Sequence, residues 1–120
     1  MFTRLTVLDD GSGRKVPEYA ERMAVLGSDD VQRRVKKLPG WAFEDSSLRR
    51  KFTFPGFPDA ITFIVRVGFV AESADHHPDL LVNYKRVTVT YSTHSEGGVT
   101  EKDFDGAARA DAIAKALGGA

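Results

Sequence analysis

Three histidines, His76, His77 and His94, are the residues of this sequence best suited to moving a proton. An imidazole changes charge close to neutral pH, so within one site one ring can donate a proton while another accepts it. All three fall at expected ends of regular structure, where chains tend to build their sites. Glu72 precedes His76 by one helical turn, so its carboxylate can orient or charge that imidazole if the helix persists to residue 76. Asp75 and Asp103 supply further carboxylates. Each residue also has a plainer reading. Adjacent histidines before a proline suit a helix C-terminus, His94 suits a surface loop, Asp103 suits the first turn of a helix, and Tyr84 and Trp41 suit a core.

Other chemistries fare worse. The chain has no cysteine, which removes disulfide frameworks, thiolate zinc sites, iron-sulfur clusters and cysteine nucleophiles. Three histidines and a few carboxylates could in principle hold a metal, but His76 and His77 are adjacent and cannot readily chelate one ion from a regular backbone. Neither the H-E-x-x-H zinc pattern nor the G-x-S-x-G nucleophile elbow is present. No glycine-rich phosphate loop follows a strand, which disfavours nucleotide binding.

The elements that must position these residues can be read from periodicity and punctuation. Ser28 is an N-cap candidate followed by Asp29 and Asp30, with Val31, Val35 and Leu38 at helical spacing before Pro39 and Gly40 end the run. Trp41 to Glu44 and Leu48 to Phe54 read as a hairpin, with Phe52 and Phe54 on one face. Phe57, Pro58 and Asp59 open a long helix. Its two apolar stripes, Ile61, Ile64, Val67 or Gly68, and Ala71 beside Ala60, Phe63, Val67, Val70 and Ala74, imply burial over a wide surface. Pro78 disfavours helix at His77, so the helix should stop near Asp75 or His76.

Leu81 to Tyr84 could form a short strand, and Val87 to Thr93 a longer one with Val87, Val89 and Tyr91 facing the core. Thr100 then caps a last helix with Asp103 at its N3 position, and Phe104, Ala107, Ala108, Ala112 and Leu117 sketch the packed face. The order helix, two strands, helix, two strands, helix predicts an α+β domain with a four-stranded antiparallel sheet and helices on one face. Before it, Phe2 to Leu8 alternates like a short strand and Pro17 could open a short helix. Residues 1–27 are therefore read as an extension, and residues 28–120 as the domain.

A length of 120 residues with 42% hydrophobic content fits one domain with a real core. Seventeen basic residues balance seventeen acidic ones, without the basic excess usual in nucleic-acid binders. No apolar run approaches the roughly 20 residues needed to span a bilayer. The amino terminus fits neither a secretory signal nor a transit peptide. A soluble, cytoplasmic protein with no membrane partner and no direct nucleic-acid partner is expected.

Glu72, His76, His77, Pro78, Tyr84, His94 and Asp103 together resemble the signature of the pterin-4a-carbinolamine dehydratase family: an acid, a His-His-Pro triplet, an aromatic, a histidine and an aspartate at fixed intervals. Leu38 to Trp41, the Phe52 to Phe54 strand and Gly98 to Thr100 look like the family too. The resemblance runs from about Ser28 to Leu117. It implies a lyase that removes water from 4a-hydroxytetrahydropterin to give the quinonoid dihydropterin, in recycling of the tetrahydrobiopterin used by aromatic amino acid hydroxylases. It implies no metal and no bound cofactor.

By the same resemblance His76 and His94 would be the acid and base, in either order, and His77 would hold or orient the substrate. Asp103 and Glu72 would set the tautomer and charge of the imidazoles. Pro78, Thr93, Ser95 and Glu96 would line the pterin site beside the histidines. Lys102 stands where relatives often have arginine. Relatives form homodimers or homotetramers. Some act on other proteins, as a dimerisation cofactor for a transcription factor or in assembly of a carbon-fixing enzyme, which makes a non-catalytic binding factor the alternative reading.

Overall fold

The computed structural model describes residues 24–120, together with two short strands nearer the amino terminus, β1 (Val7–Asp9) and β2 (Lys15–Pro17), which pair antiparallel with each other. Pro17 ends β2, and the short helix expected after it falls on residues outside the described ones. The rest of the sequence reading for residues 1–23 lies outside the described residues.

α1 (Ser28–Val35) begins one residue earlier than expected, because Gly27 takes the N-cap position and Ser28 the first helical one. Asp29 and Asp30 in its first turn and Arg33 and Arg34 in its last complement the helix dipole. Of the eight residues only Val31 is buried, so tertiary packing at that point holds the helix. β3 (Ala42–Glu44) and β4 (Ser47–Thr53) are joined by Asp45 and Ser46, both in left-handed conformation (φ 52° and 56°), as a tight hairpin turn requires. β5 (Asp79–Asn83) and β6 (Arg86–Tyr91) form the second hairpin, beginning two residues earlier than expected.

The sheet order is β3-β4-β6-β5, antiparallel throughout. Its register places Leu48 opposite Tyr91, Arg50 opposite Val89 and Phe52 opposite Val87, so these six share one face. That face carries the core. α2 (Phe57–Ala74) and α3 (Glu101–Ala116) pack across it, joined by Val31 of α1 and by Trp41. Phe63 of α2 meets Phe52 and Phe54 with ring centroids 5.1 and 4.9 Å apart, which fixes the helix against the strands.

Arg50 is the one cation on the core face. It lies over the Phe52 ring and donates to Asp111 Oδ1 at 2.8 Å, and the same oxygen accepts from Trp41 Nε1 at 2.9 Å. Gly40, at φ 87°, admits this arrangement, since a Cβ there would sit 2.6 Å from Arg50 Nε.

Three expectations are corrected. Only one stripe of α2 is buried, that of Ala60, Phe63, Val67 and Ala71, whereas Ile61 is exposed and so is Phe69, to 75%. On α3 the packed face is Phe104, Ala107, Ala110, Ile113 and Ala114, and Ala108 and Ala112 face outward. Alanine gives no contrast between faces, so the pattern could not choose between them. Tyr84 is no core aromatic. It is a left-handed turn residue (φ 54°), exposed and stacked on Phe57. Among the described residues no helix is long and apolar enough to cross a membrane.

Candidate functional site

α2 ends where the site begins. Asp75 adopts a left-handed conformation (φ 51°) with its N–H directed at Ala71 and Glu72 carbonyls, and His76 N–H returns to Ala71 O at 3.1 Å. This turn moves His76 off the helical path. Glu72 therefore meets His77 (Oε1 to Nε2, 3.0 Å) at the surface, and the expected pairing of Glu72 with His76 does not form.

His76 is held from the opposite side of the site. Its Nε2 lies 2.5 Å from Oδ1 of Asp103, a carboxylate with no solvent exposure. The other oxygen, Oδ2, accepts from Thr93 Oγ1 at 2.8 Å and from Thr100 N–H at 2.9 Å. Since the Thr93 proton goes to Asp103, the 2.7 Å contact between the two threonine hydroxyls is donated by Thr100, whose oxygen accepts in turn from Lys102 N–H at 3.2 Å. Every proton in this buried chain has a place, and no buried side-chain polar atom among the described residues lacks a partner. Asp103 acts only as an acceptor here, so His76 Nε2 carries the proton it shares with Oδ1. Its Nδ1 is left as the free ring nitrogen.

Asp103 also closes the capping box of α3, the bond to Thr100 N–H being the reciprocal half of that motif. The sequence signal for a helix start and the support for His76 are the same carboxylate. Arg34 steadies this helix start from α1 by a two-pronged contact with Glu101 (2.5 and 2.8 Å). The hydrogen bond to that carboxylate raises the guanidinium pKa above its ordinary value.

The His76 ring stacks on Tyr91 with centroids 5.9 Å apart and planes at 19°. Burial pushes the Tyr91 phenol up to about 12, with the negative charge of Asp103 adding to the shift and Arg109 opposing it. The hydroxyl is thus neutral at physiological pH.

His94 opens a single 3₁₀ turn, His94–Glu96, that follows Thr93 and is closed by the bridge of Thr93 with Gly98. Its ring is exposed and makes no side-chain hydrogen bond among the described residues. His76, His77 and His94 converge on one cavity of about 310 Å3, which Thr93, Ser95, Asp75, Ser92 and Lys102 also line. Pro78 and Glu96, expected there, are not among its walls. Ser92 escaped the sequence reading because alternation assigned it only to the outer face of its strand.

No three His, Asp or Glu side chains among the described residues are grouped as a metal site. What the cavity offers is one imidazole oriented by a buried acid, one paired at the surface with Glu72, and one unengaged. That set can both deliver and accept a proton.

Residues 24–113 match the family model described as pterin 4 alpha carbinolamine dehydratase. The chain belongs to this family. A Roseiflexus castenholzii relative named, provisionally, as a pterin-4-alpha-carbinolamine dehydratase is 44% identical over 90 residues, covering 75% of this chain and 97% of the relative. A similarly named Mycobacteroides abscessus protein is 48% identical over 82 residues, covering 68% and 87%. Among solved structures, one from Brucella melitensis described as a transcriptional coactivator/pterin dehydratase superposes with a TM-score of 0.72 at 38% identity, covering 75% of this chain and 98% of that one. A pterin dehydratase-like RuBisCO assembly factor of the alpha-carboxysome has a TM-score of 0.52 at 23% identity, covering 62% of this chain and 86% of that one, and so shares the fold. The expected family and α+β architecture are both borne out.

Proposed function

We propose that this member of the pterin-4a-carbinolamine dehydratase family is an active hydro-lyase that converts 4a-hydroxytetrahydropterin to quinonoid dihydropterin and water. The observation that carries the proposal is the convergence of His76, His77 and His94 on one cavity, with His76 held by the buried carboxylate of Asp103. In the reaction a ring-nitrogen lone pair expels the 4a-hydroxyl. The C4a–O bond breaks as a general acid protonates the departing oxygen, and a base takes one proton from the ring. The protein ends with the protons it began with, redistributed between two groups. Each well-placed transfer is worth roughly 10² to 10⁴ in rate.

His76 and His94 are assigned these two roles. Asp103 holds the imidazole of His76 with Nδ1 free, and lends negative charge to any imidazolium that forms. His77, restrained by Glu72, positions substrate. Thr93 and Ser95 contribute polar lining, with Thr93 acting mainly through Asp103.

The proposal extends to a role in tetrahydrobiopterin recycling in the cytoplasm. A homo-oligomer fits the surface: Phe57, Ile61, Val65 and Phe69 form an exposed stripe on α2, and Leu81 is exposed on the edge strand β5.

The test is stopped-flow absorbance of freshly generated 4a-hydroxytetrahydropterin with wild type, with His76→Ala and with buffer. Acceleration by wild type that collapses in the variant supports the assignment. A wild-type rate equal to buffer overturns it and favours the protein-binding alternative.

A further inference from the structure

A second cavity, of about 220 Å3, lies between α2 and α3 and shares His76 and Lys102 with the first. Val70 and Ala74 of α2 line one part, Gly106 and Arg109 of α3 another, and Tyr91 lies between them. Gly106 makes that approach of Tyr91 feasible, since a Cβ there would fall 2.5 Å from the ring carbon Cε1. Lys102, Asp105 and Arg109 recur at helical spacing and line the same cavity. Two cations thus meet one acid, and Arg34 also attracts Asp105 electrostatically. Among the described residues neither Lys102 nor Arg109 forms a salt bridge. The proposed reaction leaves this cavity unused.

On the other flank, a third cavity shares Ser92 and His94 with the first and is lined by Asp45, Ser46, Ser47, Gly97 and Gly98. It contains a carboxylate and no lysine or arginine.

We infer that the cavity between α2 and α3 receives the substituent at C6 of the pterin, and that it selects substituents ending in an acidic group. The inference rests on the dehydratase reading. In a tetrahydropterin N5 separates C4a from C6, so a ring with its 4a-hydroxyl at the histidines projects the C6 arm into a neighbouring space. The flank with Asp45 repels an anionic arm, and its carboxylate and serine oxygens suit the N–H donors of the pyrimidine edge. The flank with Lys102 and Arg109 attracts the anion, while Val70, Ala71 and Ala74 cover its carbon chain. Arg109 becomes a specificity-determining residue outside the acid-base set.

Two intrinsically fluorescent oxidised pterins that differ only at C6, pterin-6-carboxylate and 6-methylpterin, test this by equilibrium titration against the full chain. The expected result is about tenfold tighter binding of the carboxylate by wild type (about 1.4 kcal/mol), a gap that shrinks with added salt. Arg109→Gln should close most of that gap and leave 6-methylpterin affinity unchanged. Arg109 is exposed, so the variant should fold, and circular dichroism checks that it does. Equal affinities in wild type, or a loss in Arg109→Gln that is the same for both ligands, overturn the inference alone if the 6-methyl carbinolamine is still turned over. Failure to bind either pterin, with no turnover, overturns the dehydratase reading and the inference with it.

Discussion

Replacing Asp103 with Asn separates the electrical role of this side chain from its structural one. Asn keeps the shape but has one carbonyl oxygen where the carboxylate has two acceptors. If that oxygen takes the place of Oδ2 it still accepts from Thr93 and from Thr100 N–H, bonds of 2.8 and 2.9 Å in the wild type. The amide NH₂ then faces His76 Nε2, where two donors would oppose each other, so the imidazole must shift its proton to Nδ1. The nitrogen available to the cavity changes from acceptor to donor, and the charge-assisted bond at 2.5 Å is lost. A hydrogen bond to a charged group contributes about 1.5–3 kcal/mol. If that stabilisation is realised in the transition state, kcat/KM falls by roughly ten- to 150-fold. Two of the three contacts survive and the amide donates a neutral bond to Nε2 in place of the charged one, so the loss of stability should be about 1 kcal/mol. Asp103→Ala also strands the Thr93 and Thr100 donors in a buried site, and should cost about 3–5 kcal/mol. Stopped-flow decay of the carbinolamine and urea unfolding of both variants provide the readouts. An Asn variant with wild-type turnover, or one that loses rate only in proportion to its unfolded fraction, would refute this account of His76.

Three further outcomes are expected. Because the folded state raises the Tyr91 phenol to about 12, it holds more protons than the unfolded chain above pH 10, so stability falls as pH rises from about 10 to 12. The drop is about 2–3 kcal/mol, and urea unfolding at pH 8 and pH 11 should show a smaller decline in Tyr91→Phe than in wild type. An identical decline would refute the buried-phenol account. Gly106→Ala gains helix propensity of about 1 kcal/mol but drives its methyl into Tyr91, for a net loss of about 1–2 kcal/mol, and calorimetry finding a stabilised variant would contradict the close approach. For the proposed homo-oligomer, Phe69→Asp should reduce the mass measured by light scattering and lower the melting temperature as the assembly is lost, because association stabilises the folded state by mass action, and an unchanged mass would count against α2 as the interface.

Much of the domain was legible in the chain. Alternation in Val87 to Tyr91, the turn residues at Asp45 and Ser46, and the cap at Thr100 each describe local physics, and local physics won there. The site was legible as a set of residues but not as a set of partners. Glu72 and His76 have helical spacing, yet one left-handed residue at Asp75 redirected the histidine, and a spacing rule cannot foresee where a helix is cut. Asp103 reads as a helix-start acid because it is one. Its second oxygen contact depends on strands and loops brought together from elsewhere. Tyr91 was placed correctly in the core, but its stack on His76 lies between elements and leaves no mark in periodicity. The apolar stripe on α2 beyond the buried one has the same sequence signature as the buried stripe, because a single chain does not say which surface a helix turns inward.

The doubled duty of Asp103 sets an order of events as the protein is made. His76 emerges from the ribosome 27 residues before the carboxylate that orients it, and that carboxylate finds its place only when the first turn of α3 winds and Thr100 offers its amide. His76 therefore cannot be armed before α3 begins to form. The Thr100 amide, slow to exchange with deuterium only while this turn is closed, becomes a single-residue reporter of readiness, and its opening free energy should set an upper bound on the fraction of molecules with a competent site even where the remaining sheet is intact.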